Sequence, residues 1–145
     1  RRLPQLVASR ALPEGVIRAM RMLPPGDSMD PLRTLTSILA HYDPDASIHT
    51  PQANYRKAVR LTAQVGTIVA TWGRLQAGGG GIEPDPVMGH AANFLYLLTG
   101  ERPNAEAIGR AVNEAAQALM PNDTRGLQAF NKKVGEGNRL LSGVV

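Results

Sequence analysis

The sequence predicts an all-α fold. Three observations point that way. Apolar residues recur at helical spacing along nearly the whole chain, and Pro and Gly clusters cut them into segments of helical length. No stretch alternates apolar and polar residues as a half-buried strand would. The core must be aliphatic, since hydrophobic residues make up 43% of the chain and aromatic ones only 4%.

Leu12-Pro13-Glu14 opens a first helix, with Val16, Ile17, Met20 and Leu23 on one face; Pro13 suits a first turn, and Pro24-Pro25-Gly26 ends the stretch. Asp30 is expected to cap a second helix with Pro31 at its first position and Leu32, Leu35, Ile38 and Leu39 as its stripe. Tyr42-Asp43-Pro44-Asp45 breaks it, and a polar loop runs to about Gln52.

The third and longest helix is expected from about Ala53 to Gln76. Val59, Ala63, Val65, Ile68, Val69, Trp72 and Leu75 leave it little polar face, the mark of a helix buried among others. Gly66 inside it costs roughly 1 kcal/mol relative to Ala, which a close helix crossing would explain. Gly78 to Gly81 read as a flexible connection, and Pro84 and Pro86 stiffen the segment after it. A fourth helix is expected from about Val87 to Leu98, with Gly100 as its terminating glycine. A fifth is expected from about Ala105 to Met120, and a shorter one from Thr124 to Lys133. There is no internal repeat.

At 145 residues the chain is one domain's worth of protein, with 19% charged residues and a globular balance. The net charge of +4 would suit an anionic partner. Its basic residues are scattered, however (Arg2, Arg10, Arg18, Arg21, Arg33, Arg56, Lys57, Arg60), and aromatics for stacking are scarce, so nucleic-acid binding is not expected. A soluble enzyme of polyanionic small molecules fits the mild positive excess equally well. The absence of cysteine excludes disulfides, thiolate metal sites and a cysteine nucleophile. No apolar run approaches the ~20 residues of a membrane span, so no membrane partner and a cytoplasmic location are expected.

Residue by residue, no active site declares itself. His41 falls at a helix end, where a cation faces the negative end of the dipole; His49 lies in a polar loop and is expected to be solvated. Together with His90 they give no metal-ligand spacing, so no metal is expected. The glycine run lacks the preceding strand and following Gly-Lys-Ser/Thr of a phosphate loop. Asp43, Asp45, Glu83 and Asp85 flank prolines in turns, where Asp bonds nearby backbone.

The most specific part of the chain is Met29 to Pro103. Its carrying stretches are Met29-Asp30-Pro31-Leu32-Arg33-Thr34, Tyr42-Asp43-Pro44-Asp45, and Arg56 through Ala70. The sharpest are Ile82-Glu83-Pro84-Asp85-Pro86 and His90-Ala91-Ala92-Asn93-Phe94-Leu95-Tyr96-Leu97-Leu98-Thr99-Gly100-Glu101-Arg102-Pro103. These stretches resemble the large domain of the citrate synthase family, with a close match from about Leu12. Departures are local: Asp27-Ser28 stands where the family usually has His-Pro, and Gln64-Val65-Gly66 where it has Lys-Ile/Leu-Pro.

The resemblance implies an incomplete helical large domain over residues 1–103 and a helical tail over 104–145. It implies condensation of acetyl-CoA, or a close acyl-CoA, with oxaloacetate to give citrate and CoA, in the tricarboxylic acid or methylcitrate cycle. The CoA thioester is then a substrate, and no cofactor is permanently bound. The family is dimeric through large-domain helices, which implies a homodimer or higher homo-oligomer. In that family motif, His90 belongs to helical packing and is expected to be a hydrogen-bonded structural histidine.

After Pro103 the family's His-Ala-Asp-His-type stretch and Gly-Pro-Leu-His-Gly-Gly-type turn are not visible. Ala111-Val112-Asn113-Glu114-Ala115 weakly resembles the segment after that turn, and Val134 to Val144 the approach to a Gly-His-Arg-Val-Tyr-type motif. The family's base Asp, its two key histidines and its citrate-binding arginines lie beyond the matched region, so the resemblance assigns no catalytic residue to this numbering and leaves the substrate-binding residues unknown. Two readings remain. The chain is part of a longer catalytic polypeptide, inactive alone, which its start without Met and the register of its tail favour. The alternative is a truncated, non-catalytic helical relative that acts through oligomerisation.

Overall fold

A computed structural model describes residues 3–119 and the single positions Arg125 and Gln128. The described residues are helical and contain no strand. The helices are α1 (Leu3–Ala8), α2 (Glu14–Met22), α3 (Met29–Leu39), α4 (Pro51–Gln76), α5 (His90–Thr99) and α6 (Ala105–Leu119), with a 3-10 turn at Ala40–Tyr42. The chain divides into two compact units between Glu101 and Arg102.

In the first unit, α2, α3 and α4 enclose the core. Val16 and Met20 of α2, Leu35 and Leu39 of α3, and Ile68 and Trp72 of α4 are buried together, with Leu12, Ala19, Leu23, Leu32, Ile38 and Leu75 packed around them. Each pair is spaced four residues apart, so each helix contributes successive turns of one face. The core is aliphatic apart from Trp72.

Several helix starts differ from expectation for identifiable reasons. Asp30 does not cap α3. The Asp27 carboxylate accepts from the Met29 N–H (2.8 Å), while Asp30 lies in the first turn and pairs with Arg33. For α4, the cap is Thr50, whose hydroxyl accepts from the Ala53 N–H (3.2 Å), and Pro51 takes the first helical position. α5 begins at His90 rather than Val87. Before it, the Asp85 carboxylate accepts from the Val87 N–H (2.8 Å) and the Met88 carbonyl accepts from Arg10 (2.7 Å), which commits this backbone to a turn. The short α1 has no signal in the sequence, and the helix expected over Thr124–Lys133 lies outside the described residues apart from Arg125 and Gln128.

The glycine run is more ordered than a flexible connection. Gly78 adopts φ +82°, its N–H donates to the Leu75 carbonyl (3.0 Å), and the Gly79 N–H donates to the Arg74 carbonyl (2.9 Å). This pair of bonds is a Schellman cap, and it satisfies two carbonyls that the end of α4 would otherwise leave bare. Arg74 then donates from Nε to the Gly80 carbonyl (2.7 Å). Gly100, at φ +81°, ends α5 with one bond from its N–H to the Tyr96 carbonyl (2.8 Å), the simpler left-handed cap.

Two approaches fix how α5 lies on α4. A Cβ at Gly66 would sit 3.5 Å from His90 Cε1, and one at Gly73 would sit 2.6 Å from Leu98 Cδ1. Numbers rise together on both helices, so the two run parallel. The segment 77–89 must therefore carry the chain back beside α4 by about 15 Å, at 1.5 Å per residue from Gln76 to Gly66.

In the second unit, α6 is capped by the Asn104 carboxamide, which accepts from the Ala107 N–H (2.8 Å). Arg110 and Glu106 pair on its surface at i, i+4 spacing.

The close crossing expected at Gly66 falls at Gly73 instead. A methyl at Gly66 meets His90 at ordinary contact distance, whereas one at Gly73 displaces Leu98. Gly66→Ala is therefore expected to raise stability by about 0.5–1 kcal/mol through helix propensity. Gly73→Ala is expected to gain nothing or lose stability. Urea midpoints of the two variants check this; equal gains would contradict the crossing geometry.

Candidate functional site

Polar side chains concentrate in two places in the first unit. The first surrounds Arg10. This residue is only 1% exposed, although it follows the small and polar Ala8-Ser9. Its Nη1 donates to the Met88 carbonyl (2.7 Å) and to the Asp85 carbonyl (3.2 Å), both on the segment that returns beside α4. Its own carbonyl accepts from the Thr67 hydroxyl (2.9 Å), which fastens the residue to α4. Buried Asn93 of α5 completes the arrangement, its side-chain oxygen accepting from the Asp85 N–H (2.8 Å). Pro84 and Pro86 have no N–H to satisfy. A partly buried irregular segment thus finds side-chain partners for backbone groups that no helix or sheet serves.

His90 stands at the start of α5, half-buried, on the side of α4 marked by Gly66. Burial first, and then the positive charge of Arg10, push its imidazole below the ordinary histidine range. Both effects disfavour the protonated ring. Its Nδ1 is buried and has no partner among the described residues, so the hydrogen bond expected for it is not made there. Burial also lowers Arg10, against the opposing charge of Asp85. His41 and His49 are both exposed, His41 in the 3-10 turn and His49 in the loop before α4. The structure does not bring the three histidines together.

The second cluster joins the Asp43-Pro44-Asp45 turn to α4. Asp45 is buried; it accepts from Arg56 Nε (3.0 Å) and Nη2 (2.5 Å) and from Arg60 Nη2 (2.5 Å). Asp43 accepts from Arg60 Nη2 (2.6 Å) and, on the backbone side, from the Asp45 N–H (2.8 Å). Arg56 and Arg60 are four apart and so share a helix face, which is the sequence signal for this network. Hydrogen bonds from Arg56 and then Arg60 hold the Asp45 carboxyl well below the usual carboxylate range. Two acids and two bases neutralise one another, so the cluster leaves no surplus charge for a substrate.

Neither cluster has the form of a catalytic centre. Beside the first, a cleft of about 140 Å³ is bordered by Leu12, Glu14, Ile17, Arg21, Thr67 and Glu83, among others. Ligand pockets typically enclose about 300–1,000 Å³, so this one does not accommodate a CoA thioester. Glu83 stands on that rim while Asp85 is taken up by the return segment, so the two do not form an acid–base pair there. Among the described residues, no group of three or more His, Asp or Glu could hold a metal ion. No helix among them is long and apolar enough to cross a membrane.

The described residues define a helical scaffold segment whose buried Arg10 and Asp45 fasten connections to its helices. Comparison with known proteins gives the scaffold its family. The family described as citrate synthase, C-terminal domain, matches residues 3–120. The chain is 40% identical over 105 residues to a citrate synthase of Haloferax volcanii, covering 69% of this chain and 28% of that one. It is 39% identical over 113 residues to citrate synthase 2 of Bacillus subtilis, covering 74% of this chain and 30% of that one. The crystal structure of citrate synthase from Pyrobaculum aerophilum superposes with a TM-score of 0.68 at 22% identity, over 92% of this chain and 39% of that one, and shows the fold alone. The chain belongs to the citrate synthase family. It spans less than a third of the length of the Haloferax and Bacillus relatives.

Two pH dependences arise from these sites. An unfolded chain binds a proton at His90 below about pH 6.5 that the folded chain resists, so stability falls as pH drops from 7 towards 5, and His90→Gln is expected to flatten this limb. The depressed Asp45 carboxyl contributes stability that is fully present above about pH 4 and is lost as pH falls further. Asp45→Asn is expected to be clearly destabilising at pH 7, with a difference that shrinks steadily below pH 4. Denaturant midpoints across pH check both; parallel curves for variant and parent would contradict them.

Proposed function

We propose that this chain is part of the catalytic unit of a citrate synthase that condenses acetyl-CoA, or a close acyl-CoA, with oxaloacetate to give citrate and CoA. Citrate formation in the tricarboxylic acid or methylcitrate cycle accompanies that reading, as does a cytoplasmic location. The observation that carries it is the family match across residues 3–120, whose most specific stretch folds here as the return segment and α5.

The chemistry needs a carboxylate to remove a methyl proton from the thioester and a neutral hydrogen-bond donor at the developing enolate oxygen. It also needs cationic groups that hold the oxaloacetate carboxylates. The residues described here supply scaffold for that site. Their arginines at positions 10, 56 and 60 are occupied by backbone carbonyls or by Asp43 and Asp45. No catalytic role is therefore given to any residue of this numbering.

Self-association through the helices is part of the same reading. Tyr55, Leu61 and Val69 of α4 are 43%, 40% and 37% exposed, apolar surface that a second copy would cover in this reading.

The test is a thiol-release assay with acetyl-CoA and oxaloacetate, paired with intact mass and sedimentation. A polypeptide of the relatives' full length that contains this sequence is expected to release CoA as a dimer or larger assembly. The 145-residue chain alone is expected to release none. Activity in the short chain, or none in the long one, would contradict the proposal. A long but inactive assembly would instead support a relative that acts through oligomerisation.

A further inference from the structure

Three buried polar atoms have no partner among the described residues at the junction of α4, α5 and the segment before α2: Nε and Nη2 of Arg10, and Nδ1 of His90. Two further observations place the residues side by side. Arg10 donates to the carbonyl of Met88, two residues before His90, and its charge acts on the His90 ring. Both residues also lie against one turn of α4, His90 beside Gly66 and the Arg10 carbonyl on the hydroxyl of Thr67.

A buried donor without an acceptor is expensive, and buried polar groups are as a rule satisfied. The chemistry of the three atoms selects the group that would satisfy them. Arginine nitrogens only donate. With its proton on Nε2, a neutral imidazole presents at Nδ1 a lone pair that accepts one hydrogen bond. The group that fits must accept at least two hydrogen bonds and donate one. A halide or an ionised carboxylate accepts but cannot donate. A water molecule does both, with the roughly three bonds typical of internal water.

We propose that Arg10 and His90 hold one internal water molecule, which accepts from Nε and Nη2 of the arginine and donates to Nδ1 of the imidazole. The water is a structural member of the scaffold. It extends the grip of Arg10 from the return segment to the first residue of α5, and it gives His90 a fixed tautomer.

A high-resolution crystal structure of the whole protein, with crystals grown in bromide, tests this. The expected result is one peak about 2.7–3.2 Å from all three atoms and without anomalous signal. A bromide peak would replace the water with an anion site. A direct Arg10–His90 contact with no peak would remove the site altogether. In solution, ¹⁵N spectra are expected to show a neutral His90 with Nε2–H and a hydrogen-bonded Nδ1, and Arg10→Met is expected to shift the Nδ1 resonance. A free Nδ1 in the parent protein would overturn the proposal independently of any crystal.

Discussion

The grip of one buried guanidinium on an irregular segment is the constraint on which the placement of α5 beside α4 depends. Two parallel helices cannot be joined by a short turn, so the chain must travel back beside α4 before α5 can begin. That journey takes an irregular backbone through partly buried surroundings. Its carbonyls at Asp85 and Met88 find a donor in Arg10, its N–H at Asp85 finds an acceptor in Asn93, and its prolines have no N–H to satisfy. At its start, Arg74 and the Schellman cap perform the same service at Gly78 to Gly80. Burying a charged side chain for this purpose is costly, and the lowered proton affinity of Arg10 reflects that cost.

The same logic gives physical meaning to the most specific stretch of sequence. Pro84, Asp85 and Pro86 shape the return segment, with Asp85 closing a local turn through its carboxylate. His90 meets α4 at Gly66, Asn93 reaches back to the segment, Leu97 is buried, and Gly100 supplies the left-handed terminus. A motif that identifies the family is here a set of closure contacts. Its histidine is held below the ordinary histidine range by partial burial and by the charge of Arg10.

How much of this was legible in the sequence depends on the kind of signal. Helix periodicity is local, so α2 to α6 and the breaks between them could be read, and Gly100 at a helix end has a single conformational explanation. The Asp27 turn bond before α3 and the Thr50 cap of α4 were missed because several Asp, Ser and Thr residues compete near each helix start, and geometry alone chooses among them. Arg10 could not be found: its burial is set by residues more than seventy positions away, and nothing around it marks it as different from the exposed arginines. The Asp43–Asp45–Arg56–Arg60 network was half visible, as turn acids and as two arginines one helical turn apart. Their pairing needed the third dimension. The choice between Gly66 and Gly73 as the close approach was likewise a matter of where α5 lands.

Native-state hydrogen exchange on Arg10→Met tests this account most directly. The expected result is selective. The amide of Asp85 and those of α5, including Asn93 and Leu97, lose protection, while amides at Val16 and Leu35 keep theirs. If protection across residues 82–99 stayed at the parental level, Arg10 would not be the residue that holds the return segment. A uniform loss throughout the unit would equally contradict its local role.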